Sequence, residues 1–510
     1  MKENVRTIGA LIECNARRYG DKPFLCFGHQ QVSYAQIHRI TNKLANGLLK
    51  MGIRKTDKVC VMMNNRPEFL YSWFAINKIG AIMVPVNTAF RGPELTYIIR
   101  HAESKAIISE ALYAPALHEI SGAGPFPPII AIGDVEGDGI VSYLGLLDGS
   151  PEDLPGLDVS ECDHAVYPYT SGTTGLPKGV MLSHRSYIQT ARSFVTAIGA
   201  GAEDRIMTPN PLFHINAECY STMGSMAAGA TLILLDRFSA SGLAAEIERH
   251  RPTILVLVLA SATILYNKYR QADPWRTSLR TIMAGGVPRG EYRNFERLFG
   301  VKLQNIYSMT ETPMGLMSPL DAPAREGGVG YPMPAPEGYG QNRLRLLNDQ
   351  GNDCAVDEIG EIVLQNPALM DGYFKDPAAT RQALRDGFFY TGDKGRRDAD
   401  GYVYFVGRAR DILRKKGHNI SAAEVEGVLN AHPAVAEAAV IGIASDYGDD
   451  EVKAVVVFRQ GNAIEWNELR QWCADRLAAY KVPQVFAAID ALPKNAMGRV
   501  MKNKLPKTAA

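Results

Sequence analysis

The sequence has little of what would mark a secreted, metal-stapled, membrane-spanning or nucleic-acid-binding protein. Its seven cysteines, Cys14, Cys26, Cys60, Cys162, Cys219, Cys354 and Cys473, are odd in number and form no C-x-x-C pair. That argues against a disulfide framework and a cysteine zinc site, and for a reducing compartment. The ten histidines show no H-E-x-x-H spacing, so no zinc is assigned. Lys plus Arg number 55 against 54 Asp plus Glu, a net charge of +1, which leaves no global attraction for nucleic acid or an anionic membrane. The longest apolar stretch, Thr253–Tyr266, contains Ser and Thr and falls short of the roughly 20 residues a bilayer demands. It reads as a buried strand with its flank. The opening MKENVRTIGALIEC lacks the apolar centre of a signal peptide, and the closing KTAA carries no address signal. A cytoplasmic location is expected, with no nucleic-acid partner and no membrane span. Internal repeats and low-complexity tracts are absent too.

What is present is ordinary globular composition, 46% hydrophobic and 21% charged over 510 residues, enough for roughly two to four domains. Ser33 is a plausible N-cap, followed at helical spacing by Tyr34, Ile37, Ile40, Leu44 and Leu48, with an end near Met51. Lys58–Met63 reads as a strand, Pro67–Lys78 as a helix and Ala81–Val86 as a strand. Further strand-like runs stand at Thr231–Leu235, Thr253–Leu259 and Thr281–Gly285. Such alternation predicts parallel strands with crossover helices. Gly122–Gly156, rich in Gly, Pro and Asp, reads as surface loops. The pattern changes near residue 400. Asp398–Gly401 is a turn signal before a strand at Tyr402–Val406. Helix Ala422–Leu429, strands Val435–Ile443 and Val452–Phe458, and helix Glu465–Ala479 make a small α+β set of their own.

The densest chemistry lies in Tyr169-Thr170-Ser171-Gly172-Thr173-Thr174-Gly175-Leu176-Pro177-Lys178-Gly179. Glycines let backbone N–H groups approach an anion, while hydroxyls and a lysine add donors and charge. This is a phosphate cradle, although GxxxxGK[ST] does not occur. A flexible linker would not need Pro-Lys-Gly running at once into the strand-like Val180-Met181-Leu182.

This stretch resembles the signature loop of the adenylate-forming enzymes: acyl-CoA synthetases, luciferases and peptide-synthetase adenylation domains. The resemblance runs along nearly the whole chain, in the family's order. Pro211-Leu212-Phe213-His214 resembles its substrate-side motif, and Ala284-Gly285-Gly286-Val287-Pro288 its adenine-side loop. Tyr307-Ser308-Met309-Thr310-Glu311-Thr312 resembles the segment for adenine, phosphate and magnesium. Tyr390-Thr391-Gly392-Asp393 resembles the ribose motif, and Gly407-Arg408-Ala409-Arg410-Asp411 with Lys416-Gly417 the inter-domain hinge.

The resemblance implies an α/β fold: a large N-terminal domain of mixed sheets packed with helices at 1–408, a hinge at 409–412 and a small mobile C-terminal α+β domain at 413–510. It implies a carboxylic acid, ATP, magnesium and coenzyme A as reactants. A carboxylate attacks the α-phosphate of ATP to give acyl-AMP and pyrophosphate, and the coenzyme A thiolate then displaces AMP. An anion meeting a polyanion is helped by positioning and charge neutralisation. Thr170 to Lys178 would hold the departing pyrophosphate, Glu311 magnesium and Thr310 the α-phosphate. Gly286, Val287, Pro288 and Tyr307 would meet adenine. Asp393 would accept both ribose hydroxyls, and Arg408 would meet the same ribose. Arg414, Lys416 and Gly417 lie in the densest basic run, read as a loop that turns toward coenzyme A about Arg410 and Asp411. His214 would gate the acyl pocket or steady developing charge, unless it is a buried histidine satisfied by a neighbour. The pocket itself would be walled by His214, Asn216, Gly285, Ser308, Met309 and Met314.

One position departs from the family. Its C-terminal motif ends in Gly-Lys, where this chain has Gly498-Arg499, and arginine is planar and more rigid than lysine. Arg499 is a working natural substitute, an engineered brake on adenylation, or the mark of a protein limited to the thioester step or to none. Lys494 and Lys502 sit at the wrong offset and read as exposed charges. The leading expectation is an AMP-forming acid–thiol ligase. Other readings are an enzyme loading a carrier protein, a luciferase-like oxygenase and a non-catalytic acyl-adenylate-binding protein. Met-rich walls suit apolar acids, and the lack of an added basic residue disfavours a dicarboxylate. The chain is similar to the branch for carnitine-type and assorted medium or aromatic acids. A homodimer is compatible with the sequence.

Overall fold

The computed structural model describes residues 5–122, 125–135, 137–170, 176–287, 290–408, 412–415, 418–444, 450–459, 464–477, 479–495 and 498–507. Two of its sheets are built largely from parallel strands, as the alternation predicts. The first runs from the strand Lys302–Gln304 through Thr281–Ala284, Ile254–Leu257, Arg205–Thr208 and Thr231–Leu234 to Pro23–Phe27, with Gln30–Ser33 antiparallel at its edge. The second centres on Lys58–Met62, flanked by Ile82–Pro85 and Ser104–Glu110.

Strand side chains alternate between two cores, because successive residues point to opposite faces of a sheet. Val59 and Val61 face the same core as Leu232, Leu234, Ile254 and Val256 of the other sheet. Cys60 and Met62 face outward onto the helices Gly92–His101 and Ala114–Ser121, and Ile233, Leu255 and Leu257 onto Leu243–His250, Leu259–Tyr269 and Tyr292–Phe299. Helices therefore fill the space between the sheets and cover both outer faces. The central helix Pro67–Lys78 is buried at every residue but Glu68, including Phe69, Trp73 and Phe74. Pro67 stands at its start, where a missing N–H costs nothing. Tyr34–Lys50 begins with a reciprocal cap, the Ser33 hydroxyl accepting from the Gln36 N–H and the Gln36 amide oxygen accepting from the Ser33 N–H.

A third, antiparallel sheet carries Ile306–Met309, Thr312–Met317, Gly328–Pro332, Val403–Arg408, Phe388–Arg397, Gly360–Gln365 and Arg343–Leu347 in that order. Beyond it the chain forms a small unit: a hairpin of Ile412–Lys415 with His418–Ser421, a sheet of Val435–Ala444, Asp450–Phe458 and Val485–Ala488, and helices Ala422–Asn430 and Trp466–Ala474 over a core of Val425, Leu429, Val440, Val456 and Leu469. The fold is thus a large mixed α/β domain followed by a small C-terminal one.

Four local expectations need correction. The run Thr253–Tyr266 is a strand only to Leu257, and Leu259–Tyr269 is a helix. Continuous apolar runs carry no period that separates the two states. Gly122–Gly156 is more than loops, since it holds strands Ile129–Ile132 and Ile140–Ser142 and a helix Tyr143–Asp148 capped by the Ser142 hydroxyl. The helix expected at Glu465–Ala479 stops at Ala474. Within the basic run at 414–419, Arg414 pairs with Asn419 and Lys415 with His418 as strands, where a loop was expected.

Candidate functional site

The signature loop is closed at its base by two short strands. Thr170 pairs with Lys178 and Tyr169 with Gly179, so the ends of the loop are fixed in register. Ser171, Gly172, Thr173, Thr174 and Gly175 lie outside the described residues, as do Pro288, Arg410, Asp411, Lys416, Gly417 and the side chains of Arg408 and Arg414. Lys178 is half-buried, with Nζ 4.9 Å from the ring centre of Tyr373.

Thr310 and Glu311 form the two-residue turn between Ile306–Met309 and Thr312–Met317, where Met309 pairs with Thr312. A tight turn presents both side chains at the tip of a hairpin, next to each other and away from the sheet. Glu311 is 7% exposed. Its Oε1 accepts from the Tyr373 hydroxyl at 3.0 Å, and its carbonyl accepts from the Met370 N–H at 3.0 Å. Among the described residues no three His, Cys, Asp or Glu side chains gather as a metal cage. A lone, oriented carboxylate fits magnesium, which keeps its waters and takes one or two carboxylates together with phosphate oxygens.

Tyr307 begins the same segment. Its ring is tilted 32° against Phe405 at 5.7 Å, and its hydroxyl donates to Asp393 Oδ2 at 2.8 Å. Asp393 is buried, and its N–H donates to the Thr391 hydroxyl at 3.0 Å. Across the sheet Asp393 is the register partner of Arg408. Asp393 and Arg408 therefore face each other on adjacent strands, and the Tyr307 hydroxyl reaches Asp393 from the strand at the edge of the same sheet. On the other flank, the Gly286 carbonyl accepts from the Thr263 hydroxyl at 2.6 Å, Gly285 is half-buried and Val287 is buried.

His214 opens the irregular helical segment that contains the π-helix Asn216–Thr222, its carbonyl accepting from the N–H groups of Ala217 and Glu218. Burial, and after it the positive charge of Arg499, push its imidazole down to about 4. His214 is consequently neutral near pH 7, and Arg499 of the small unit lies within electrostatic range of it. Arg499 itself is exposed and stands on a fixed turn: its N–H donates to Asn495 Oδ1 at 3.0 Å, and its carbonyl accepts from the Asn495 N–H at 2.9 Å. Gly498 has φ +74, a left-handed conformation that glycine adopts without strain. Lys494 pairs with Glu437 at 2.5 Å and Lys502 with Glu426 at 2.7 Å. Lys502, with 23% side-chain exposure, is not the exposed charge expected of it.

Asn216 accepts from Asn210 Nδ2 at 2.7 Å. Ser308 and Met309 are half-buried, while Met314 lies fully inside the main core. Sequence reasoning missed Tyr220, four residues past Asn216. Its hydroxyl donates to the Pro313 carbonyl at 2.5 Å and also interacts with Ser308. It missed Tyr373 as well, although the Gly-Tyr pair after an apolar run was visible. A third missed group is Glu218, wholly buried, with Oε2 accepting from the Tyr187 hydroxyl and Oε1 without a partner among the described residues. Burial pushes its carboxyl up to about 8.

Known proteins match along the same length. The AMP-binding enzyme family matches residues 12–374, and the AMP-binding enzyme C-terminal domain matches residues 424–499. A crotonobetaine/carnitine–CoA ligase of Salmonella agona (strain SL483) is 30% identical over 508 residues, covering 96% of each chain. An anthranilate CoA ligase in complex with anthranoyl-AMP superposes with a TM-score of 0.88 at 28% identity, over 98% of this chain and 96% of that one. The o-succinylbenzoate coenzyme A synthetase of Bacillus subtilis, in complex with ATP and magnesium ion, superposes with a TM-score of 0.85 at 26% identity, over 97% and 98%. Among the described residues no helix is long and apolar enough to cross a membrane.

Proposed function

The chain belongs to the AMP-binding enzyme family, on its acyl-CoA synthetase branch, and from that premise we propose how its own residues carry the branch's chemistry. The enzyme is an AMP-forming acid–thiol ligase that uses ATP, magnesium and coenzyme A. In the first step a carboxylate oxygen bonds to the α-phosphorus as the bond to pyrophosphate breaks. In the second the thiolate of coenzyme A attacks the acyl carbonyl and AMP leaves.

Lys178 and the loop from Thr170 to Gly175 hold the pyrophosphate as it departs. Glu311 would hold magnesium, whose charge would offset that of the phosphates. Thr310, beside Glu311 on the same turn, donates to the α-phosphate. Gly286, Val287, Pro288 and Tyr307 enclose adenine, and Asp393 with Arg408 takes the ribose. The hydrogen bond from Tyr307 to Asp393 and the strand pairing of Asp393 with Arg408 support one continuous nucleoside site.

Arg499 is the working cation of the adenylation step. The observation that carries this reading is its electrostatic reach to His214. With His214 neutral, the guanidinium supplies full positive charge on the acyl side, and its planar fork suits a carboxylate. His214 contributes an uncharged N–H donor and a wall. For the second step the small domain turns about Arg410 and Asp411, withdrawing Arg499 and bringing Arg414, Lys416 and Gly417 toward coenzyme A.

The acid is a compact, largely apolar monocarboxylate. Asn216, Gly285, Ser308 and Met309 border its pocket, Met314 backs them from the core rather than facing the acid, and Tyr220 limits its depth by spanning from the π-helix to Pro313. The test is carboxylate-dependent pyrophosphate release across a panel of acids, with and without coenzyme A, for the native chain and for Arg499→Lys and Arg499→Ala. The native chain should turn over with a compact acid and be accelerated by coenzyme A, with Arg499→Lys comparable. Arg499→Ala should lose about two orders of magnitude, the scale for removing a donor that meets developing charge. Activity in the lysine variant alone would make Arg499 a brake. Response only to a phosphopantetheinyl carrier would move the enzyme to the carrier-loading class.

A further inference from the structure

We propose that Tyr373 is a positioning residue for the nucleotide half-reaction, joining the magnesium carboxylate Glu311 to the phosphate-side lysine Lys178. The inference rests on the roles proposed above for those two residues. Tyr373 uses two different parts of one side chain. Its hydroxyl donates to Glu311 Oε1 at 3.0 Å, and its ring face lies 4.9 Å from Lys178 Nζ. The first contact fixes the direction of the carboxylate lone pairs left for a cation. The second holds the ammonium over the electron-rich face of the ring.

The strand Gly372–Tyr373 is held independently of that side chain. Val180 pairs with Tyr373 and Met181 with Gly372, on the same strand that begins at Lys178. The Tyr373 N–H donates to the Thr380 hydroxyl at 2.9 Å. Gly372 has φ +137, and a Cβ there would meet the Thr380 methyl at 2.7 Å, so the backbone fits only as glycine. Met370 adds its N–H to the Glu311 carbonyl at 3.0 Å. Backbone contacts therefore place this segment against Glu311, and the phenol hydroxyl does one separate job: it orients the carboxylate. Partners that orient a metal ligand typically change metal affinity by about 10–100-fold when removed.

The test measures binding at equilibrium without any acid, using the non-hydrolysable analogue α,β-methylene-ATP titrated by calorimetry with and without magnesium. Tyr373→Phe should reduce the magnesium-dependent gain in analogue affinity by about tenfold and leave the magnesium-free affinity near that of the native chain. Tyr373→Leu, which also removes the ring beneath Lys178, should weaken the magnesium-free affinity too. A native-like magnesium gain in Tyr373→Phe overturns the proposal. Equal loss of both affinities in Tyr373→Phe overturns it as well, since that is the mark of a merely structural residue. A native chain that binds the analogue with no magnesium gain overturns the assignment of Glu311 itself. Unfolding temperatures of both variants, compared with the native chain, separate misfolding from loss of orientation.

Discussion

Tyr307 and Asp393 lie 86 residues apart in sequence and share a buried hydrogen bond of 2.8 Å. One strand brings the residue read for adenine, another the residue read for ribose, and the bond sets their spacing. Tyr307→Phe keeps the ring and removes the bond. A net hydrogen bond of about 1 kcal/mol corresponds to roughly a fivefold rise in the KM for ATP. Asp393→Ala should raise it further and slow pyrophosphate release. Unchanged ATP affinity in Asp393→Ala would remove the ribose role.

His214 should contribute no inflection to the pH profile near its ordinary value of 6.5. Burial and Arg499 hold it down to about 4. Folding therefore binds fewer protons than unfolding does between about pH 6.5 and 4, and stability falls as acid is added through that range. Arg499→Ala removes the second cause and should move the His214 titration upward, read from its ring proton resonance. A titration that does not move would separate the two residues.

Glu218 should make the enzyme less stable as pH rises. Its folded pKa is raised from the ordinary carboxyl range to about 8. It costs nothing while protonated in both states, and destabilises progressively from about pH 4.5 to about 8 as the unfolded chain ionises first. Glu218→Gln should flatten the fall in unfolding temperature over that window. An unchanged slope would mean that another group carries it.

Tyr220→Ala should shift acid preference toward longer or bulkier acids, because it removes the side chain reaching Pro313 and Ser308. Tyr220→Phe, which keeps the volume, should leave the preference in place. The ratio of kcat/KM between a short and a long acid is the readout. Identical ratios in all three proteins would place the floor of the pocket elsewhere.

Much of this was legible before the structure. Ser33 capped its helix, Pro67 opened the next one, and the strands at Lys58–Met62 and Thr231–Leu234 followed their apolar runs, because local propensity and burial agreed there. Leu259–Tyr269 was misread because an unbroken apolar run has no telling period. Residues in local motifs, such as Glu311, Asp393 and Lys178, could be picked out in sequence. Tyr220, Tyr373 and Glu218 could not, since each matters through a partner distant in the chain: Pro313, Glu311 and Tyr187. The influence of the Arg499 charge on His214 is of the same kind.

Arg408 closes its strand directly opposite Asp393, and further along the chain the Ser421 hydroxyl donates to the Val406 carbonyl while capping the helix Ala422–Asn430. The last paired strand before the proposed turning point is thus the one that faces Asp393, the residue proposed to take the ribose. Rotation that begins beyond Arg408 leaves the Asp393 side of this strand pair where it was. On the proposed cycle the nucleoside would be the still centre: AMP would stay seated on one strand pair while the machinery for two successive reactions is exchanged around it.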